Sequence, residues 1–390
     1  MREKRFHLLH MAVAVALTFA ITLGGAALAA WVFIGPSGLT LLEGMGLVNT
    51  LFVGPYEQQD VVDAAMYGMV EGLDDRWSYY LNPEHYKLTT QQRQNVYVGI
   101  GVTVTYEDAD GLLVQAVEPG GPADKAGIMP GELILSADGT SLAGEGQAQG
   151  AGLIQGETGT TVTLELRGTD GAVRTLHIKR SRVETQPVSY EMLPENVGYI
   201  KVKNFYDRSG EGVKAAVERL VEQGATALVF DMRDNGGGYL KELTDMLDYL
   251  LPEGPIFRSK SRSGRESVTQ SDAGCVDLPM VTLVNAETYS AAEFFGAELQ
   301  EWSVGIIVGE ETSGKGYSQQ TFALPGGAGL GLSTGAYFTG KGTSLIGTGL
   351  TLDAKVSLSE EESALLRSGK LPHGEDGQLQ AALELLKGRI

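Results

Sequence analysis

Apolar residues in the second half of the chain form short continuous runs separated by segments of helical periodicity. Residues 280–284 (MVTLV) and 305–308 (GIIV) are typical of buried strands, and residues 291–302 between them space their apolar positions as an amphipathic helix does. The same order recurs upstream in segments 197–202, 210–222 and 227–231. Strand-helix-strand order predicts an α/β core over residues 184–358, built on a partly parallel sheet with right-handed crossovers.

Residues 96–183 follow a different pattern, because apolar positions there alternate with polar ones as in half-buried strands. The alternating positions are Val102 and Val104, Leu113 and Val114, Val162, Leu164 and Leu166, and Leu176 and Ile178. Gly- and Pro-containing turn signals separate them. This region is therefore predicted to be a small β-rich domain, distinct from the core that follows it.

The segments on either side of these two regions are predicted to be helical. In residues 35–95, Val61, Ala65, Met69 and Leu73 are spaced as one face of a helix, and we interpret this stripe as a packing surface. Such a region would serve as a support or as an arm joining two copies, which leaves homo-oligomerisation open. Residues 359–390 are predicted to be a helical tail.

The first residues bear on the location of the protein. Arg2, Lys4 and Arg5 precede a largely uncharged apolar stretch over residues 8–34, which is long enough to cross a bilayer core of about 30 Å. No Lys or Arg follows until position 76, so the positive-inside bias puts the N-terminus in the cytoplasm and the bulk of the chain outside. We therefore expect residues 1–34 to be a single-pass cell-membrane anchor.

A cleaved signal peptide is the competing interpretation of the same residues. Residues 27–29 (ALA) have the small-residue spacing of a cleavage site. The apolar run continues through residues 31–34 (WVFI), beyond the point where a signal peptide normally ends. The uncleaved anchor is favoured, although the alternative stays open.

Composition excludes several classes of function. The net charge of −19 over 390 residues argues against nucleic-acid binding, because phosphates would be repelled. Cys275 is the single cysteine, so no disulfide forms within the chain, and without an accompanying histidine or motif it is interpreted as a structural or idle thiol. No zinc-ligand spacing is present in the sequence, and we expect neither a metal nor a cofactor.

Ser290 is the strongest candidate for chemistry. It lies at the predicted start of a helix, where free N–H groups and the helix dipole stabilise negative charge, although serine there is also a common helix cap. No Ser/His/Asp pattern is visible among the five histidines, so the proposed base is Lys315, between Gly314 and Gly316. Gln319 would hold the lysine amine by a hydrogen bond.

These residues resemble the serine/lysine/glutamine apparatus of the carboxyl-terminal processing proteases, a family of serine endopeptidases that carries a PDZ domain. The resemblance rests on residues 290–293 (SAAE), 314–316 (GKG) and Gln319. The family's alternating Ser and Ala run is reduced in residues 288–292 (TYSAA), where one serine remains. The further matching segments are 65–70 and 73–80 in the helical lead-in, 97–102 and 121–132 in the PDZ region, 231–238 (DMRDNGGG), and 376–379 (DGQL).

The resemblance implies roles for backbone groups as well as side chains. An N–H of Gly237 or Gly238, together with that of Ala291, would form the oxyanion hole. In the PDZ region, the Gly99-Ile100-Gly101-Val102 loop would bind a peptide's terminal carboxylate, and the strand that begins at Val102 would accept the peptide as an added strand. The implied partners are protein or peptide substrates with free C-termini.

Two departures from the family pattern concern the PDZ region. The window of its second helix, residues 143–155, contains Gly144, Gly146, Gly150 and Gly152, each of which costs roughly 1 kcal/mol relative to alanine in a helix interior. We therefore expect that wall of the groove to be short or mobile. Relatives often carry arginine where this chain has Gln155, so we expect PDZ-dependent activation to be weakened.

Together these features predict a membrane-anchored extracytoplasmic serine endopeptidase that recognises protein C-termini and cleaves through an acyl-enzyme. The alternative is a non-catalytic PDZ scaffold that retains a protease-like fold.

Overall fold

The computed structural model describes residues 2–106 and 108–388, in two compact units, Met1–Met66 and Tyr67–Ile390. Helix α1 (Arg2–Leu51) is the main element of the first unit. It is broken at Gly35, which has a φ of 66° and directly precedes Pro36. Among the described residues, no helix has both the length and the apolar character needed to span a membrane. The structure therefore does not support the transmembrane helix predicted over residues 8–34.

The region predicted to be helical, residues 35–95, contains two further helices and a strand. These elements are α2 (Gln58–Glu71), β1 (Tyr79–Leu81) and α3 (Pro83–Arg93). The prediction missed β1, in which Tyr80 is buried and which pairs with a distant strand of the core. The predicted packing stripe is not buried within this chain, because α2 has no buried residue and Met69 is 43% exposed, and its packing against a second copy stays a prediction.

The β-rich region contains eight strands and two short helices. They are β2 (Val96–Gly99), β3 (Val102–Thr105), β4 (Leu112–Val117), α4 (Pro122–Lys125), β5 (Leu133–Ala137), β6 (Thr140–Ser141), α5 (Gln147–Ile154), β7 (Thr161–Arg167), β8 (Val173–Lys179) and β9 (Ser181–Glu184). The main sheet runs β3-β4-β5-β7-β8, with β6 paired to β5, while β2 pairs separately with β9. Strand β3 therefore lies at a sheet edge, and α5 is only eight residues long.

The α/β core is formed around a six-stranded sheet in the order β10-β11-β12-β15-β16-β19. Its strands and helices are β10 (Val188–Leu193), β11 (Val197–Val202), α6 (Ser209–Glu222), β12 (Ala227–Asp231), α7 (Leu240–Leu250), β15 (Met280–Val284), α8 (Ala291–Glu301), β16 (Gly305–Gly309), β19 (Ala354–Lys355), α9 (Glu360–Arg367) and α10 (Gly377–Lys387). All neighbouring strands from β11 to β19 are parallel, and β10 is antiparallel. The predicted partly parallel sheet is confirmed.

Both faces of this sheet are covered, which explains the continuous apolar runs. In β12, Leu228 and Phe230 face the core formed with α6, α7 and α8, whereas Ala227 and Val229 face the core that includes Leu379 of α10. Successive residues of a strand point to opposite faces, so a strand buried on both sides needs apolar residues at every position.

A second, five-stranded sheet lies beside the core. It contains β13 (Gly254–Ser261), β14 (Glu266–Ser271), β17 (Tyr317–Ala323) and β18 (Gly329–Phe338), joined by β1. Strand β18 pairs with β17 and also with β1, through Tyr79 opposite Gly331. This pairing brings the lead-in residues next to the segment that carries Lys315.

A buried ionic network fixes the end of β12. The Arg233 guanidinium donates to both carboxylate oxygens of Asp231 and to Asp376, at the start of α10. Burial acts to raise the pKa of Asp231, but the positive charges of Arg233 and Lys201 hold it well below its usual range. Arg233 thus has a structural role, and the loop that follows starts from a fixed position.

Candidate active site

Ser290 ends the loop after β15 and immediately precedes α8. Its backbone has φ of 60° and ψ of −127°, a region that residues with a side chain rarely adopt and that is common where strain serves function. Ser290 occupies the cap position of α8, where the Glu293 side chain closes a capping box on the Ser290 N–H. The positive φ distinguishes this serine from an ordinary helix cap, whose backbone is extended.

The buried carboxylate of Glu293 ties the serine turn to the lysine loop. It accepts hydrogen bonds from the N–H groups of Ser290 (2.9 Å), Gly314 (2.8 Å) and Lys315 (3.0 Å). The Thr312 hydroxyl adds a fourth, at 2.6 Å. Burial raises the pKa of Glu293, and these four donors act in the opposite direction. One side chain thus sets the distance between two segments that are remote in sequence.

Lys315 lies in a half-buried aromatic environment. Its Nζ is 4.5 Å from the centre of the Trp77 ring and 5.5 Å from that of Tyr289. Burial, followed by the positive charge of Arg93, lowers the pKa of Lys315 from 10.5 to about 8. A substantial neutral fraction near neutral pH is what a lysine base requires.

Gln319 does not make the contact that the sequence suggested. Its Nε2 donates to the Tyr317 carbonyl at 2.9 Å and to the Ser333 hydroxyl at 3.2 Å. A hydrogen bond to the Lys315 amine is not found in the described part of the chain. Strand β17 has a register shift between Ser318 and Gln319, and the glutamine amide is engaged along β17 and β18.

A single cavity of about 540 Å³ brings together four of the six candidate residues of this region, and Gly237 and Ala291 do not line it. Ser290, Lys315, Gln319 and Gly238 all line it. Strands β12 and β15 are parallel neighbours, so their carboxyl ends meet at one sheet edge, where ligand sites of open α/β sheets gather.

The two glycine candidates for the oxyanion hole differ in their hydrogen bonding. The N–H of Gly237 donates to Asn235 Oδ1 at 2.8 Å, whereas no acceptor for the N–H of Gly238 is found among the described residues. Gly237 is nevertheless required, because its φ is 80° and a Cβ there would lie 2.9 Å from that of Ser290. Ala291 is the first residue of α8, so its N–H has no partner within the helix.

The PDZ region has a second, much smaller cavity of about 50 Å³ between β3 and α5. Gly99, Ile100, Gly101 and Val102 line it, and the N–H groups of Ile100 and Gly101 have no acceptor in the described residues. Together with the free edge of β3, this is the arrangement that strand addition and carboxylate binding require. Gln155 also lines this groove, and it lines a neighbouring cavity of about 500 Å³ as well.

Helix α5 confirms the expectation of a short groove wall. It is preceded by a 3₁₀ turn at Gly144–Gly146 and covers eight residues. Gly150 is buried against β4, where an added Cβ would lie 2.5 Å from Leu112 Cδ1. The glycine thus lets the helix approach the sheet closely.

Sequence reasoning missed several residues around Lys315 and the cavity that it lines. Trp77, Tyr79 and Arg93 belong to a region interpreted as a support, and no local pattern indicates their position. The role of Glu293 was also missed, although serine followed three residues later by glutamate is a signal for interactions at a helix start. Among the described residues, no cluster of three or more His, Cys, Asp or Glu could hold a metal ion, and Cys275 is exposed.

Comparison with known proteins gives concordant results. A profile of peptidase family S41 matches residues 196–356, and a PDZ-domain profile matches residues 113–168. The carboxy-terminal processing protease CtpA of Bacillus subtilis is 31% identical over 310 residues, which cover 78% of this chain and 66% of that protein. The carboxyl-terminal-processing protease of Picosynechococcus sp. is 32% identical over 340 residues, covering 85% and 80%.

A solved structure extends the comparison to the fold. An S41 protease candidate from Bacteroides fragilis is 18% identical and superposes with a TM-score of 0.56, covering 87% of this chain and 99% of that one. At this identity the likeness concerns the fold alone. The matched part of the chain also spans slightly less than two thirds of the Bacillus protein, at 66%.

Proposed function

Because the chain belongs to the carboxyl-terminal processing proteases of peptidase family S41, we propose that it is a serine endopeptidase with Ser290 as nucleophile and Lys315 as base. The observation that carries the proposal is the shared cavity. Ser290 and Lys315 both line it, Glu293 fixes their backbones, and the pKa of the lysine is lowered to about 8.

The proposed reaction begins with transfer of the Ser290 proton to neutral Lys315. The serine oxygen attacks the peptide carbonyl, and the negative charge that develops on the carbonyl oxygen is stabilised by the N–H groups of Ala291 and Gly238. Lys315 then returns the proton to the leaving amine, which yields an acyl-enzyme, and activates the water that hydrolyses it. Gln319 would orient the lysine after a small movement of its amide.

Substrate capture is assigned to residues 96–183 and cleavage to residues 184–358. The Gly99-Ile100-Gly101-Val102 loop would hold the terminal carboxylate of a protein, while β3 pairs with the residues before it. The free N–H groups of the loop and the unpaired edge of β3 support this assignment.

A fluorophosphonate probe tests the nucleophile directly, since it labels only activated serines. We expect labelling of the wild-type protein, loss of labelling in Ser290→Ala, and strong reduction in Lys315→Ala. Ser313→Ala is a matched control, because this serine lies in the lysine loop and its hydroxyl donates to the Ala286 carbonyl. Absence of Ser290-dependent labelling would favour the non-catalytic PDZ scaffold instead.

The proposal includes an extracytoplasmic location with attachment to the cell membrane through residues 1–34. It rests on the basic residues before the apolar stretch and on the absence of Lys and Arg from there to Arg76. Fractionation of cells, followed by protease treatment of intact spheroplasts, tests both parts. A full-length protein that stays in the soluble fraction and is shielded from the protease would refute the location.

A further inference from the structure

The catalytic cavity differs in charge from the rest of the molecule. The whole chain carries a net charge of −19, with 49 acidic residues. Among the residues that line the cavity, Arg93 is cationic, Lys315 is cationic only while it is protonated, and none is Asp or Glu. A cavity of this charge in an acidic protein favours an anionic ligand group.

Arg93 is held in the wall of this cavity by neutral groups. Its Nη1 donates to the Thr321 hydroxyl at 3.0 Å, and its Nη2 donates to the Tyr79 hydroxyl at 2.6 Å. Both partners line the same cavity. Within residues 2–106 and 108–388, Arg93 forms no salt bridge, although its side chain is half-buried. Arginine has five N–H donors, and those used here leave several for a further partner.

Phenol groups complete the polar lining. The cavity contains the six tyrosines Tyr79, Tyr86, Tyr206, Tyr239, Tyr289 and Tyr337. Tyrosine hydroxyls can donate to a carboxylate without adding negative charge of their own at neutral pH. Arginine is the side chain best suited to bind a carboxylate, because its planar fork matches the two oxygens.

We propose that Arg93 forms a carboxylate-binding subsite within the catalytic cavity, so that peptides placing a carboxylate beside the scissile bond are preferred. This inference rests on the proposed peptidase function and names the chemistry that its cavity selects. The carboxylate could belong to an Asp or Glu side chain or to the substrate's own C-terminus. The subsite is distinct from the PDZ loop, where backbone N–H groups would make the contact.

The first experiment compares peptides with Glu or Gln at each position flanking the scissile bond, all with amidated C-termini. The kcat/KM values are measured for wild type, Arg93→Gln, Arg93→Lys and Lys87→Gln. Lys87→Gln is the matched control, since it removes the same charge from α3 at an exposed residue outside this cavity. A melting curve for each variant checks the fold.

We expect the wild type to prefer Glu over Gln at one position by about tenfold or more, the size of a charge-assisted hydrogen bond. Arg93→Gln should lose this preference, Arg93→Lys should keep part of it, and Lys87→Gln should keep all of it. The preference should also persist above the pKa of Lys315, because arginine stays charged there. A merely structural Arg93 would lower the rates equally for Glu and Gln peptides and equally for free acids and amides, and that combined result would overturn the proposal.

A second arm identifies the source of the carboxylate. Short peptides without acidic residues are compared as free acids and as amides, in wild type and in Arg93→Gln. Amidation weakens binding at the PDZ loop equally in both proteins. Only the part of the amidation effect that disappears in Arg93→Gln therefore belongs to the cavity. A preference for free acids that depends on Arg93 assigns the subsite to the terminal carboxylate, and a preference confined to Glu peptides assigns it to a side chain.

A binding measurement separates this inference from the proposed function. Fluorescence anisotropy with the same amidated Glu and Gln peptides is carried out on Ser290→Ala, with and without Arg93→Gln. Arg93-dependent binding of the Glu peptides alone supports the subsite even if no peptide is hydrolysed. Equal binding and equal turnover of the Glu and Gln peptides, together with no Arg93-dependent preference for free acids over amides, would refute the subsite and leave the peptidase proposal intact.

Discussion

The two candidate peptide sites of this protein differ in how far they are formed in advance. The catalytic cavity has a volume of about 540 Å³ and receives side chains from the lead-in, the core and the second sheet. The PDZ groove has a volume of about 50 Å³ and lies between one edge strand and one short helix. The candidate catalytic cavity is thus the wider of the two sites, whereas the PDZ groove is narrow.

The difference in width between the two sites has its physical reason in the contacts of the segments that line them. At the catalytic site, the Glu293 carboxylate and its four hydrogen bonds fix the serine turn against the lysine loop. In the PDZ groove, Gly150 lets α5 approach β4 closely. The Tyr97 ring would lie only 3.1 Å from a Cβ atom added at Gly99. Opening this groove costs free energy that would reduce the affinity for a C-terminal peptide.

The largest effects are expected at the catalytic pair. Ser290→Ala and Lys315→Ala should each lower kcat for casein or peptide hydrolysis by at least about 10³-fold, because neither group activates the reaction alone. The double variant should be no worse than either single one, since members of one catalytic unit are not additive. Gln319→Ala should be milder because this residue does not accept the proton.

Thermal unfolding of the same variants provides the control, and the midpoints should stay close to that of the wild type. Turnover by Lys315→Ala near the wild-type level would exclude Lys315 as the general base.

Glu293→Gln should have the next largest effect. It tests whether the Glu293 carboxylate fixes the serine turn against the lysine loop. The new amide group turns donors toward the N–H groups of Ser290, Gly314 or Lys315, so at least one buried donor loses its acceptor. A loss of about 1–3 kcal/mol in the free energy of unfolding is expected, along with a clear loss of activity. Glu287→Gln removes an exposed charge from the same loop and should change neither quantity.

The pH profile should shift by a moderate amount when Arg93 is replaced. Neutral Lys315 is the active form, so activity should rise with pH through a value of about 8. Arg93 disfavours the lysine ammonium, and its removal in Arg93→Gln raises the pKa of Lys315 and moves the profile to higher pH. Rates are measured on a peptide without acidic residues.

Lys87→Gln should leave this profile unchanged, and a shift of equal size there would assign the effect to net charge. A limb near pH 6.5 that disappears when a histidine is replaced would contradict lysine as the base.

The smallest effects are expected in the PDZ groove, where two glycines of α5 form a matched pair. Gly150→Ala places a Cβ 2.5 Å from Leu112 Cδ1 and should destabilise this region by about 1–3 kcal/mol through overpacking. Gly152→Ala meets no atom within 4 Å and should stabilise the helix by up to about 1 kcal/mol. The rate of hydrogen exchange at the α5 amides measures both changes in local stability. Slower exchange in both variants would show that the helix is not packed as closely as described.

The sequence predicted the core accurately where local patterns suffice. The limits predicted for β11, β12 and β15 are those observed, and α8 begins at Ala291 as expected. The same local reasoning failed for β1, because Tyr79 to Leu81 form a strand only by pairing with β18. It also failed for the bond between Gln319 and Lys315, which depends on how β17 and β18 are aligned.

The sequence by itself determined the strand-helix-strand order of residues 197–231 and 280–308, the position of Ser290 at a helix start and the glycines on both sides of Lys315. These follow from periodicity and from residue types that are neighbours in the chain. Only the tertiary structure brought the Trp77 ring against the Lys315 amine and placed Arg93 in the wall of a cavity whose lining contains no Asp or Glu. Such contacts join residues far apart in sequence, and the pairing of Tyr79 with Gly331 that creates them has no local signal.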